Sequence, residues 1–241
     1  MLFGWLAGDI ASTPAVLASM TAALRTTEGE RATVWTQGTL GIGVLERPMA
    51  AAADQSRDPA RSPDGRCLWM SGEAFDWPSH GGIGSAAESR SPAFRARLLE
   101  ALTARGPEAI RDLDGEYQIA FWNASSRTLM LLNDRFAALP LYLGASAQGT
   151  AFAGGVRGVL MGPGITADPD LDAIQEAVTF GGYRLGTRTN IRGVRMAPPA
   201  SVVSLSPGGM TTTRYWTWSE LRDGDATDAA ALMEDMRSSW A

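Results

Sequence analysis

Apolar positions along the chain fall into two periods, and the switches between them mark the elements. "LFGWLAG" (2–8) reads as a short buried strand, and "STPAVLASMTAALR" (12–25) follows with Val16, Leu17, Met20 and Leu24 on one helical face. Ser12 or Thr13 can cap that helix, and Pro14 suits its first turn. "RATVWTQ", "LGIGVLE" and "RCLWMSGE" read as strands, with the polar stretch Pro48–Gly65 as a long loop between the second and third. A second loop, "DWPSHGGIGSAAESRS", leads into a helix over "PAFRARLLEALTARG", where Phe94, Leu98, Leu99 and Leu102 form the apolar stripe and Gly106 the stop. "EYQIAFWN" and "RTLMLLND", joined by "NASS", form a hairpin by pattern. Strands at "LPLYLG" and "GTAFAGG", helices near 156–161 and 171–180, and a final hairpin turning at Pro207-Gly208-Gly209 complete the reading. Hairpin-linked strands outnumber helices and no internal repeat interrupts them, so the expected class is α+β, with helices packed outside antiparallel sheets.

A chain of 241 residues with 45% hydrophobic and 20% charged residues is long enough for one sizeable core. The net charge of −5 is spread without a basic cluster, which argues against nucleic acid and anionic membranes as partners. No apolar run approaches the roughly 20 residues of a bilayer span, and "MLFGWLAGDI" lacks the basic flank of a signal peptide, so the expected location is the cytoplasm. One cysteine, Cys67, and one histidine, His80, provide neither an internal disulfide nor a cysteine-based metal site.

Three stretches, in order, carry a resemblance: "LWMSGEAFD", "LDGEYQIAFWNASSRTLMLLNDRFAALPLY" and "DLDAIQEAVTFGGYRLGTRTNIRGVRMAPPASVVSLSPGGMTTTRYW". Together they resemble the amino-terminal, class II glutamine amidotransferase domain of the asparagine synthetase family, over about Leu68 to Trp216 and more weakly before it. The resemblance implies an Ntn-hydrolase-like αββα sandwich, two antiparallel sheets between helical layers. It places Asp134-Arg135 at a strand-to-strand corner, each charge binding backbone groups or the other. Ala137 and Leu139 stand there in place of the family's glycine and lysine.

In the family, glutamine hydrolysis depends on a cysteine directly after the initiator methionine, whose freed α-amine acts as base. That position falls here on Leu2, or at or before Met1 if Phe3-Gly4 matches the family's strand, and neither alignment supplies a nucleophile. Cys67 lies inside a strand and reads as a small buried thiol. Arg47 matches the arginine that pairs with the glutamine carboxylate, with a surface arginine at a strand end as the competing reading. Ser71-Gly72-Glu73 matches the family's Asn-Gly-Glu, so the oxyanion hole lacks an amide donor of a kind that contributes roughly 3 kcal/mol. The family's Gly-Asp amine anchor appears as "RSPAF", with no carboxylate. "HGGIGS" and "SPGGM" read as turns rather than phosphate loops, and the tryptophans of "RYWTW" as core or interdomain packing.

The expectation is a glutaminase-inactive domain (1–221) with no catalytic residue, metal or cofactor of its own. Residues 222–241 would start the first helix of an ATP- and Mg-dependent synthetase domain, with Leu232, Met236 and Trp240 in an interdomain stripe. The parent would be an amide ligase: a lasso-peptide macrolactam cyclase acting on a precursor peptide, favoured on the look of "LFGWLAG", or a β-lactam synthetase acting on a small molecule, or an ordinary asparagine synthetase relative. The rival class is a stand-alone scaffold module.

Overall fold

The computed structural model describes residues 1–8, 13–46, 58–182 and 186–220, with 233–234 and 237–238. Two six-stranded antiparallel sheets face each other. Sheet A runs β10 (Val194–Met196), β8 (Tyr142–Ser146), β9 (Gly149–Ala153), β1 (Leu2–Ala7), β3 (Leu40–Glu46), β2 (Arg31–Gln37). Sheet B runs β12 (Gly209–Arg214), β11 (Ser201–Ser206), β7 (Thr128–Asn133), β6 (Asp114–Asn123), β5 (Arg66–Asp76), β4 (Ala60–Arg61). Helices α1 (Thr13–Leu24) and α4 (Val156–Val159) cover the outer face of sheet A, and α2 (Ala86–Ser89) and α3 (Pro92–Arg105) that of sheet B. Helix α5 (Leu171–Thr179) precedes β10. The layers are therefore αββα, as the resemblance implies.

Strand alternation builds three cores from one chain. On β1, Phe3, Trp5 and Ala7 face α1, whereas Leu2 and Leu6 face sheet B. On β6, Tyr117, Ile119 and Phe121 face α3, whereas Ala120 and Trp122 meet sheet A. The face of α1 expected from its spacing is the buried one, and Ser91 caps α3 by accepting from the Phe94 amide at 3.0 Å.

Several expectations need correction. The stretch read as loop before Gly65 contains β4, which pairs Ala60 with Leu68 and Arg61 with Cys67. The second loop holds a 3-10 turn, Pro78–His80, and the short helix α2. Strand β10 was not anticipated; three residues are too few for any period to register. Of the two readings given for the tryptophans of "RYWTW", core does not hold for Trp218, which is 66% exposed.

Candidate functional site

The site is built at the head of β1. Leu2 is fully buried between the sheets, and burying such a side chain contributes about 1.5–3 kcal/mol, enough to hold the first residue in place. The Met1 carbonyl accepts from Leu45 N at 2.8 Å, while the Met1 α-amine donates to Leu45 O at 2.8 Å and to Ser71 Oγ at 2.6 Å. Leu2 N donates to Gln118 Oε1 at 2.8 Å, and Gln118 Nε2 donates to Pro140 O at 2.6 Å. Gln118, 1% exposed, thus ties β1 of one sheet to β6 of the other. The signal for it was present: a lone amide between Tyr117 and Ile119 in an apolar strand must find buried partners.

Ser71, Gly72 and Glu73 lie together on β5. Ser71 is 2% exposed. Gly72 adopts φ +99°, where an added Cβ would collide with the Glu116 carbonyl and lie 2.8 Å from Leu139 Cδ1. Leu139 therefore packs on this glycine, so the corner at Asp134 reaches into the site. Glu73 is paired with Arg90, whose carbonyl accepts from Arg95 Nη1 at 2.7 Å. Val44, Glu46, Met70, Gly72, Ser89 and Arg90 line a cavity of about 20 Å³ at this point. That volume suits a single water, and ligand clefts run to roughly 300–1,000 Å³. Arg90 opens "RSPAF", the stretch matched to the family's amine anchor, and puts a guanidinium against the cavity.

The Asp134 carboxylate, 1% exposed, accepts from the amides of Phe136 and Ala138 at 2.9 and 3.1 Å and from that of Tyr117 at 3.3 Å. Arg135 donates to Arg111 O at 2.8 Å and lies 5.8 Å over the Trp216 ring. Each charge serves backbone, and neither serves the other. Behind the corner, Tyr215 OH donates to Asn133 O at 2.8 Å and lies 3.3 Å from Tyr117 OH. Burial pushes the Tyr117 phenol well above its ordinary value and that of Tyr215 up to about 12.

Cys67 lies elsewhere, between the sheets, with its thiol 3.2 Å from Gln37 Oε1 and 3.4 Å from Arg61 Nη1. Burial raises its pKa, the opposite of an activated nucleophile. Arg47, Leu232, Met236 and Trp240 lie outside the described residues. Among the described residues no cluster of three potential metal ligands occurs, and no helix is long and apolar enough to cross a membrane.

Comparison with known proteins agrees with this architecture. The curated asparagine synthetase [glutamine-hydrolyzing] 3 of Bacillus subtilis (strain 168) is 22% identical over 121 residues, half of this chain and 20% of that protein. The chain thus matches a fifth of the length of this relative. Among solved structures, the glutamine phosphoribosylpyrophosphate amidotransferase of B. subtilis, complexed with ADP and GMP, superimposes over 90% of this chain and 49% of its own, with a TM-score of 0.55 and 14% identity. A structure described as the allosteric regulatory enzyme of purine biosynthesis does so with a TM-score of 0.53, 13% identity and the same coverage. These likenesses show the fold, an Ntn-hydrolase-like sandwich. The family described as "Glutamine amidotransferase domain" matches residues 2–216, from β1 to just past β12. Over nearly its whole length, this chain belongs to the glutamine amidotransferase domain family.

Proposed function

We propose that this chain is a glutaminase-inactive member of its family that supports an ATP-dependent, amide-forming synthetase domain. The observation that carries the reading is the filled site. Met1 heads β1 with its amine on Ser71, no cysteine stands there, and the adjoining cavity of about 20 Å³ is lined by the Arg90 guanidinium. A cavity of that size admits a water and not a glutamine, and the head of β1 presents neither a thiolate nor, at Ser71, an amide hole to act on its side chain.

An attached domain is supported by the exposed rings of Phe136 and Trp218, which cluster with Trp216 at centroid distances of 5.4–6.1 Å, just before Glu220. In that parent, ATP and Mg would act in the synthetase domain, with an amine already on the substrate replacing ammonia. We favour a lasso-peptide macrolactam cyclase with a precursor-peptide substrate; a β-lactam synthetase is the nearest alternative. Glutamate release from glutamine is the direct test: turnover above the buffer rate that thiol alkylation abolishes would overturn the inactive reading. A reading frame that continues past Ala241 into a Ser-Gly-Gly-x-Asp loop supports the ligase, and a stop there the scaffold.

A further inference from the structure

Both sheets end on the same side of the sandwich, sheet A at β10 and sheet B at β12. Between their edges lies a cleft of about 340 Å³, lined by Leu143, Met196, Val203, Met210 and Thr212, with Arg195 the charged lining residue among those described. The volume and the mix of apolar walls with one charge match ligand clefts in general. Strand β12 forms one wall and is exposed along all six residues. Its ladder partner is β11, reached through the two-residue turn Pro207-Gly208, with Ser206 opposite Gly209. With that pair closing the turn as a hydrogen-bonded one, the alternation of an antiparallel ladder directs the N–H and C=O of Met210, Thr212 and Arg214 away from β11. Met210 and Thr212 therefore offer backbone at the edge while their side chains line the cleft.

We propose that this edge accepts an extended peptide as an added strand, with apolar side chains at alternate positions lowered into the cleft and acidic residues at its flanks. An edge left uncovered among the described residues supplies the main-chain pairing, and the cleft supplies the side-chain selection. The acidic flanks follow from two guanidinium groups. Arg195, whose side chain is 46% exposed, lies 3.8 Å from Asp170, a carboxylate that Arg188 holds at 2.5 Å, and donates to Val194 O at 3.4 Å. Arg214 is exposed at the end of β12. A second copy pairing through this edge would bring Arg214 rather than a carboxylate, so the occupant is a peptide of another sequence. The inference does not depend on what the parent enzyme makes.

The test uses the whole chain and a fluorescein-labelled, terminally blocked peptide, Asp-Thr-Leu-Thr-Leu-Thr-Asp, whose aspartates share the face of its leucines, followed by anisotropy. Saturable binding is expected, weakened several-fold by Arg195→Gln and by replacing the two flanking aspartates with lysine. Thr212→Pro removes an outward N–H without touching the β11 ladder, a position where proline is tolerated, and should weaken binding about tenfold. Thr212→Val, which keeps the donor, should bind as the parent does. N-methylating the peptide amides that face β12 should abolish binding, a result independent of how any variant folds. The proposal is overturned by no saturable binding at millimolar peptide, by undiminished binding of the N-methylated peptide, by a dimer whose dissociation the peptide does not promote, or by sodium decanoate binding where the peptide does not.

Discussion

The α-amine of Met1 and the hydroxyl of Ser71 lie 2.6 Å apart, joining the head of one sheet to β5 of the other across the inter-sheet core. A charged donor keeps Leu45 O but loses a short bond if that hydroxyl is removed. Ser71→Ala should therefore lower stability by about 1.5–3 kcal/mol in denaturant titrations. Ser71→Asn brings in the family's residue, yet the site is 2% exposed. Overpacking should cost about 1–3 kcal/mol and glutamine hydrolysis should stay absent; activity regained by that single change would contradict the reading of the site.

Millimolar glutamine should leave the melting temperature unchanged, because the cavity beside Gly72 holds about 20 Å³ and presents Arg90. A reproducible rise, removed by Arg47→Ala, would show that a carboxylate site survives.

Ala137 occupies φ +51° at the corner after Asp134. A left-handed backbone costs an L-residue roughly 1–2 kcal/mol, and glycine gives back about 0.4–1 kcal/mol of that through the freer unfolded chain. Ala137→Gly should therefore raise stability by about 0.5–1 kcal/mol, a gain of roughly 1–4 °C in melting temperature. An unchanged or lower melting temperature would mean that the turn relaxes around the alanine.

Burial, with the Asp134 carboxylate adding to it, raises the Tyr215 phenol to about 12. A group whose pKa is raised on folding contributes stability that is intact below the unfolded value, about 10, and is lost as pH climbs through 12. Wild type should lose stability between pH 10 and 12. Tyr215→Phe should lose less across that window, although near neutrality it forfeits the bond to Asn133 O, worth about 1 kcal/mol. Parallel pH profiles for the two proteins would refute this assignment.

The sequence by itself determined the elements whose period is sustained. Val16, Leu17, Met20 and Leu24 on α1, the stripe of α3 and the β6–β7 hairpin each repeat often enough for burial on one face to dictate helix or strand. Elements of two to four residues, β4, β10 and α2, carry no such repeat and are made by their neighbours. The site itself was decided by tertiary structure. Met1, Ser71, Arg90, Gln118 and Leu139 are far apart in the chain and meet because β1 inserts between β3 and β9 while β5 pairs with β6 in the facing sheet. Periodicity records which face of a strand is apolar but not which strand will lie beside it; that choice comes from close packing of whole layers, and with it the meeting of these side chains.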